Sequence, residues 1–145
     1  MDSKGQNIDW RTRADREPSI VLSLLKVSPL ADFLSSLELI RKRPDARMLA
    51  AHGPVGMRVH ERVDELIAHH AKRLDTTLAA LAEGRSTAYA VAGVLTWTRR
   101  ERTLSELDPF NEMLATLETM AHLEVLVERG IVTRTEEDGV ARYSA

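Results

Sequence analysis

Cysteine is absent from all 145 residues. Disulfides, thiolate metal sites and cysteine nucleophiles are therefore excluded, and the composition is compatible with a reducing, cytoplasmic setting. Aromatic residues are scarce, at 4%. Charge of one sign is not in excess either, with a net charge of −2, so nothing attracts the whole chain to nucleic acid or to an acidic membrane. No apolar run approaches the roughly 18 residues needed to cross a bilayer, and no membrane partner is expected. The first 17 residues are polar and mixed in charge, unlike a secretory leader. Internal repeats, a Gly-rich phosphate loop and a nucleophile elbow are all missing.

What is present is an apolar fraction of 43%, supplied mostly by Leu, Val and Ala. That mixture favours helices over a β-sandwich. Residues 1–27 read as a loose N-terminal segment, containing one short apolar run at 20–25. Ser28-Pro29 is a helix start, with Ser as N-cap and Pro at the first helical position. Leu30, Phe33, Leu34 and Leu37 follow at helical spacing, and Pro44 ends the helix. Residues 47–51 read as a short strand, and His52-Gly53-Pro54 as the tight loop after it.

A long helix is predicted over 59–83, because Leu66, Ile67, His70, Leu74, Leu78 and Leu81 share one stripe. Gly84 stands where a C-terminal cap belongs. Ser86 or Thr87 caps a second, shorter helix through about Trp97, and 98–107 reads as a charged loop. Asp108-Pro109 starts a third helix, which Gly130 stops. Two strands, 131–135 and 140–143, flank the Asp138-Gly139 turn. Three helices followed by a hairpin is the winged-helix order.

Such a unit usually reads DNA with its third helix. Here that helix carries Glu112, Glu118, Glu124 and Glu128 against Arg129, an unfavourable set of charges to bring against phosphates. It is also apolar around much of its circumference, which points to burial on more than one side. The candidate nucleic-acid or partner contacts lie elsewhere. Arg99, Arg100 and Arg102 stand beside Trp97, and Arg134 and Arg142 are placed in the wing. An arginine cluster next to an aromatic ring can hold single-stranded RNA by charge and stacking; a solvated loop with Trp97 tucked beneath it is the plainer expectation. The carboxylates Glu136, Glu137 and Asp138 read as a solvated turn, because no regularly spaced oxygen ligands surround them.

Four segments carry a resemblance. They are Pro29-Leu30-Ala31-Asp32-Phe33-Leu34-Ser35-Ser36-Leu37, Leu49-Ala50-Ala51-His52-Gly53-Pro54, Glu65-Leu66-Ile67-Ala68-His69-His70-Ala71-Lys72-Arg73, and Ala121-His122-Leu123-Glu124-Val125-Leu126 with Gly130. In order and spacing they resemble the metallo-β-lactamase superfamily, in the branch of lactamase-β-like endoribonucleases and many bacterial hydrolases. Relatives show aromatic-Ile-x-His-Arg in the long helix. Leu66 here takes the aromatic place and His70 the Arg place. The resemblance implies a mainly α chain with a small β-hairpin. Residues 28–58 would be the last helix and strand of a metallo-β-lactamase fold, and 59–145 a winged-helix domain.

It also implies chemistry. In the family, zinc or another divalent metal is clamped by several His and Asp side chains, so that a bridging water ionises near neutral pH. By analogy His52 is the metal-ligand position. The signature His-x-His-x-Asp-His supplies most ligands upstream in relatives, and none of the five histidines here precedes His52. One imidazole does not make a tight site, which needs three or four donors. The expectation is therefore a truncated portion of a metallohydrolase, inactive alone and binding no metal stably. Its role would be packing, cleft completion or dimerisation. The alternatives are a winged-helix module that binds RNA or DNA, and a hydrolase subunit completed by another chain. The remaining histidines have structural expectations: His60 at the surface, His70 as a hydrogen-bonded core imidazole, His122 in helix packing. His69 and His70 point about 100° apart on a helix and converge poorly on one ion.

Overall fold

A computed structural model of the chain describes residues 28–53 and 55–145. The N-terminal segment 1–27, with its apolar run, and Pro54 of the His-Gly-Pro loop lie outside the described residues. The elements are helices α1 (Pro29–Arg41), α2 (Val59–Ala82), α3 (Ala88–Ala92) and α4 (Pro109–Glu128), then strands β1 (Thr133–Glu137) and β2 (Val140–Ser144), with one 3-10 turn at Leu104–Glu106. No helix among the described residues is long and apolar enough to cross a membrane.

The helix starts follow from their caps. Ser28 Oγ accepts from Ala31 N at 3.4 Å, and Pro29 follows it. Thr87 Oγ1 accepts from Ala90 N at 3.2 Å. Asp108 Oδ1 accepts from Phe110 N and Asn111 N, both at 3.1 Å. Each cap satisfies amides that have no partner inside the helix. At the far end of α4, Gly130 takes φ +69°, the left-handed conformation that ends a helix at little cost only in glycine.

The hairpin forms where the turn residues place it. Glu137 pairs with Val140, leaving Asp138 and Gly139 as a two-residue turn with φ of 52° and 75°. Both signs match the turn type whose twist suits a hairpin. β1 begins at Thr133, two residues later than the sequence pattern indicates. Ile131 and Val132 are used instead to leave α4, their amides bonding back to Leu126 O at 3.0 and 3.3 Å.

Two other expectations are corrected. Residues 47–51 form no strand: only Arg47 pairs, with Arg58, in an isolated antiparallel bridge. Flanking bonds Met48 N→Met57 O (2.9 Å) and Val59 N→Ala46 O (2.9 Å) close a loop there. A strand needs a neighbouring strand to satisfy its amides, and none is present among the described residues. The second short helix stops at Ala92 rather than near Trp97. Trp97 instead exchanges two 2.8 Å backbone bonds with Arg102, and the tight turn between them holds Thr98 and Glu101 at positive φ.

The core lies between α2, α3 and α4, closed by Leu95, Trp97, Leu104 and Tyr143. α1 packs across α2 and α4 through Leu37, which is buried, and Leu30 and Leu34, which are partly buried. Thr77 and Thr119 are both fully buried on the facing helices α2 and α4. Thr119 Oγ1 donates to Ala115 O at 2.9 Å, whereas Thr77 Oγ1 has no partner. An unpartnered buried hydroxyl is costly. Thr77→Val keeps the shape and removes that group. It is expected to leave stability unchanged or raise it by up to about 1 kcal/mol, read as the urea midpoint.

Candidate functional site

The loop carrying His52 is anchored by one carboxylate. Asp45 accepts from Ala46 N (2.9 Å), Arg58 Nε (2.8 Å) and His60 N (3.0 Å). Those bonds, the His60 amide first and the Arg58 side chain next, hold its carboxyl below the usual carboxylate range. His60 Nε2 lies 2.9 Å from Arg43 O, so this imidazole fastens the loop to the start of α2. Asp45→Asn is expected to leave α2 folded but raise amide hydrogen exchange across 46–58, because the ion pair and the charged acceptor are both lost.

His52 itself is exposed in the bend between Ala51 and Gly53. Among the described residues, no group of three or more His, Asp or Glu side chains could hold a metal ion. The donor set around His52 therefore does not fit the metal centre that the family resemblance implies, since one exposed imidazole is not a site.

Two other histidines do meet. His70 on α2 and His122 on α4 lie 52 residues apart in sequence, and His70 Nδ1 is 3.1 Å from His122 Nε2. The ring centroids are 5.3 Å apart and the planes 28° from parallel. His122 is 1% exposed, and its Nδ1 is 2.8 Å from Glu118 O. The Phe33 ring, on α1, meets the His70 ring nearly at right angles, with centroids 5.8 Å apart. Burial pushes both imidazoles below their ordinary value, aided at His70 by the charge of His122. His70 is hydrogen-bonded, but it is half-buried at the edge of a cavity rather than in the core. Its partner was not legible, because no local pattern says which residue of α4 crosses α2 at that height.

The candidate contact residues separate in space. Trp97 is 5% exposed. Its Nε1–H donates to Ala92 O at 3.0 Å, and the Arg73 guanidinium sits 4.4 Å above its ring. Arg73 also donates to Thr96 O at 3.2 Å and pairs with Glu118 at 3.5 Å. The indole is thus closed to a nucleobase in this structure, and the reading of Trp97 as a stacking platform is corrected to a core residue under a loop. Arg134 pairs with Glu124 at 3.3 Å. Arg142 pairs with Glu137 and donates to Ser86 Oγ at 3.2 Å. Arg99, Arg100 and Arg102 remain exposed on the loop.

The feature that sequence reasoning only partly located is the outer face of α4. Phe110, Met113, Leu114, Leu117 and Met120 are each between 40% and 63% exposed. At 100° per residue they fall within an arc of about 120°. The acids that would break this face are turned to other partners. Glu112 accepts from Tyr89 OH at 2.8 Å, Glu118 takes Arg73, and Glu124 accepts from Tyr143 OH at 2.6 Å. The result is an uncharged apolar stripe about 15 Å long over the first half of α4.

Comparison with known proteins places this architecture. Residues 74–145 match the family model described as the metallo-beta-lactamase-like, C-terminal domain. The chain resembles the C-terminal part of metallo-β-lactamase-fold proteins. One solved structure is a beta-lactamase domain protein from Burkholderia ambifaria, with TM-score 0.68 and 34% identity, covering 81% of this chain and 34% of that one. Another is a metallo-beta-lactamase family protein from Thermus thermophilus, with TM-score 0.56 and 34% identity, covering 81% of this chain and 33% of that one. The chain thus spans about a third of the length of these metallo-β-lactamase relatives. No curated protein matches it.

Proposed function

We propose that residues 28–145 serve as the non-catalytic C-terminal portion of a metallo-β-lactamase-fold hydrolase, docking through the apolar stripe of α4 onto the portion that binds the metals. The observation that carries this reading is the uncovered stripe itself, apolar and free of charge. The largest contiguous apolar patch on a soluble monomer is often a binding site. The resemblance to the last third of longer relatives supports a large, neighbouring fold as the occupant.

Size favours that occupant over a second copy. Five half-exposed large side chains offer on the order of 500 Å². A stable free-standing dimer buries about 800 Å² on each partner. Interfaces between domains of one chain are smaller, because tethering supplies effective concentration. In this proposal 59–145 acts as a winged-helix unit, supported by the order of three helices and a hairpin, and 28–58 closes the end of the metal-bearing fold. Zinc or another divalent ion would belong to the portion carrying His-x-His-x-Asp-His.

The test uses the two thirds of the Burkholderia ambifaria relative that this chain does not match. Joined to the full chain by a flexible linker, that portion should bind it in cis, and Leu117→Lys should weaken that binding by about 30-fold, or about 2 kcal/mol. The variant should unfold within about 0.5 kcal/mol of the parent, because Leu117 is at the surface. Equal binding by parent and variant, or none by either, would overturn the reading. A parent dimer that Leu117→Lys converts to monomer would replace it with self-association.

A further inference from the structure

The seam between α2 and α4 is held by a bond that tolerates one proton and not two. The His122 Nδ1 contact at 2.8 Å is to the carbonyl oxygen of Glu118. A carbonyl only accepts, so Nδ1 must carry the hydrogen. The neutral ring then presents a bare lone pair at Nε2. His70 Nδ1, 3.1 Å away, must therefore be the donor, and its own Nε2 is the basic nitrogen left over. The proton arrangement is fixed by geometry alone.

Acidification acts in two steps. A first proton on His70 Nε2 leaves the inter-ring bond in place and strengthens it as a charge-assisted donor. A second proton has to go to His122 Nε2. That sets two N–H groups head to head and puts two cations in rings whose centroids are 5.3 Å apart. Little stands ready to compensate. From α2 the pair faces His69, 5.2 Å from His70, and Arg73; from α4 it faces Glu118; from α1 it faces the uncharged Phe33. Glu118 favours the protonated form of both rings, but it is one carboxylate shared with Arg73 at 3.5 Å. Glu38, Glu128 and Arg129 line a cavity of about 400 Å³ that also includes His70, between α1, α2 and α4. The packing beside His70 is therefore incomplete, whereas Leu123, Val125 and Leu126 around His122 are buried in the core, so loosening of the seam starts on the His70 side.

We infer that the His70–His122 pair is an acid-operated clasp, which holds α4 on α2 near neutral pH and releases that seam when both rings are protonated. The lowered proton affinity of both rings gives the sign. The unfolded chain, with imidazoles near 6.5, binds more protons than the folded one. Stability is therefore complete above about pH 7 and falls progressively as pH drops below about 6.5. The clasp does not depend on the docking reading, because the rings lie on the buried side of α4.

The test is made on the full chain. Nitrogen-15 NMR should show His122 as the Nδ1–H tautomer, with scalar coupling from His70 Nδ1 to His122 Nε2 at pH 7 that vanishes on acidification. As it vanishes, amides of α4 around His122 should lose exchange protection before those of α3. His70→Gln can still donate to His122 but cannot titrate, so it should remove about one proton from the uptake that accompanies acid unfolding. An Nε2–H tautomer at His122 would overturn the inference, as would coupling that is lost only when the whole chain unfolds. So would a His70→Gln variant as acid-sensitive as the parent.

Discussion

Trp97→Ala is expected to cost about 3–5 kcal/mol of stability, the range for removing a large buried aromatic side chain. Three contacts fail together. The indole leaves a cavity at the closed end of the core, where Trp97 is 5% exposed. Ala92 O loses the 3.0 Å bond from Nε1–H, leaving a carbonyl at the end of α3 without that donor. Arg73 loses the ring beneath its guanidinium and keeps only Glu118 and Thr96 O. Urea unfolding of Trp97→Ala, with Trp97→Phe as the intermediate, reads the effect directly. An exposed base-stacking residue would behave differently, shifting stability by no more than about 0.5 kcal/mol when truncated. Combined replacement of the exposed Arg99, Arg100 and Arg102 by serine should fall within that smaller range. The pair of experiments separates a loop that packs from a loop that reaches for a partner.

Much of this fold is legible from local chemistry. Ser28-Pro29 and Asp108-Pro109 announce two helices, and Asp138-Gly139 announces the hairpin, because each is a short-range signal carried by the residues that make the bond. The strand at 47–51 misleads for a related reason. A short, partly apolar run is consistent with a strand, but pairing is decided by a neighbour distant in sequence, and here Arg47 meets only Arg58. Trp97 lies beneath its loop, the plainer of the two expectations. Arginines follow it in sequence, yet the arginine over its ring is Arg73, from another helix. The resemblance correctly associates the chain with the C-terminal part of metallo-β-lactamase-fold proteins. The outer stripe of α4 is half legible: its apolar residues are visible in the sequence, but which of them remain uncovered depends on where α2, α3 and the hairpin settle. The histidine pair is illegible for the same reason, since His70 and His122 are brought together by helix crossing alone.

The hairpin provides the second large effect. Every residue of β1 is exposed, and in β2 only Tyr143 is buried. A two-stranded ribbon is at best marginally stable in water by itself, so its order must come from what Tyr143 grips. The ring enters the core, its amide donates to Ser86 O at 2.8 Å, and its hydroxyl donates to Glu124 Oε1 at 2.6 Å. Tyr143→Ala is therefore expected to cost about 3–5 kcal/mol. The loss should be uneven, with hairpin amides exchanging freely while α2 and α4 keep their protection. Tyr143→Phe isolates the hydroxyl and is expected to cost about 1–2 kcal/mol, since Glu124 retains Arg134. Alkaline titration gives an independent reading. Burial first, and then the bond to Glu124, push the phenol well above its usual value near 10. The folded chain thus holds a proton that the unfolded chain releases, so this contribution is intact below about pH 10 and lost as pH rises beyond it. The parent should lose stability in that range more steeply than Tyr143→Phe. If Tyr143→Ala left the hairpin as protected as α4, its other ties, Arg142 to Ser86 and Arg134 to Glu124, would have to be sufficient to hold it.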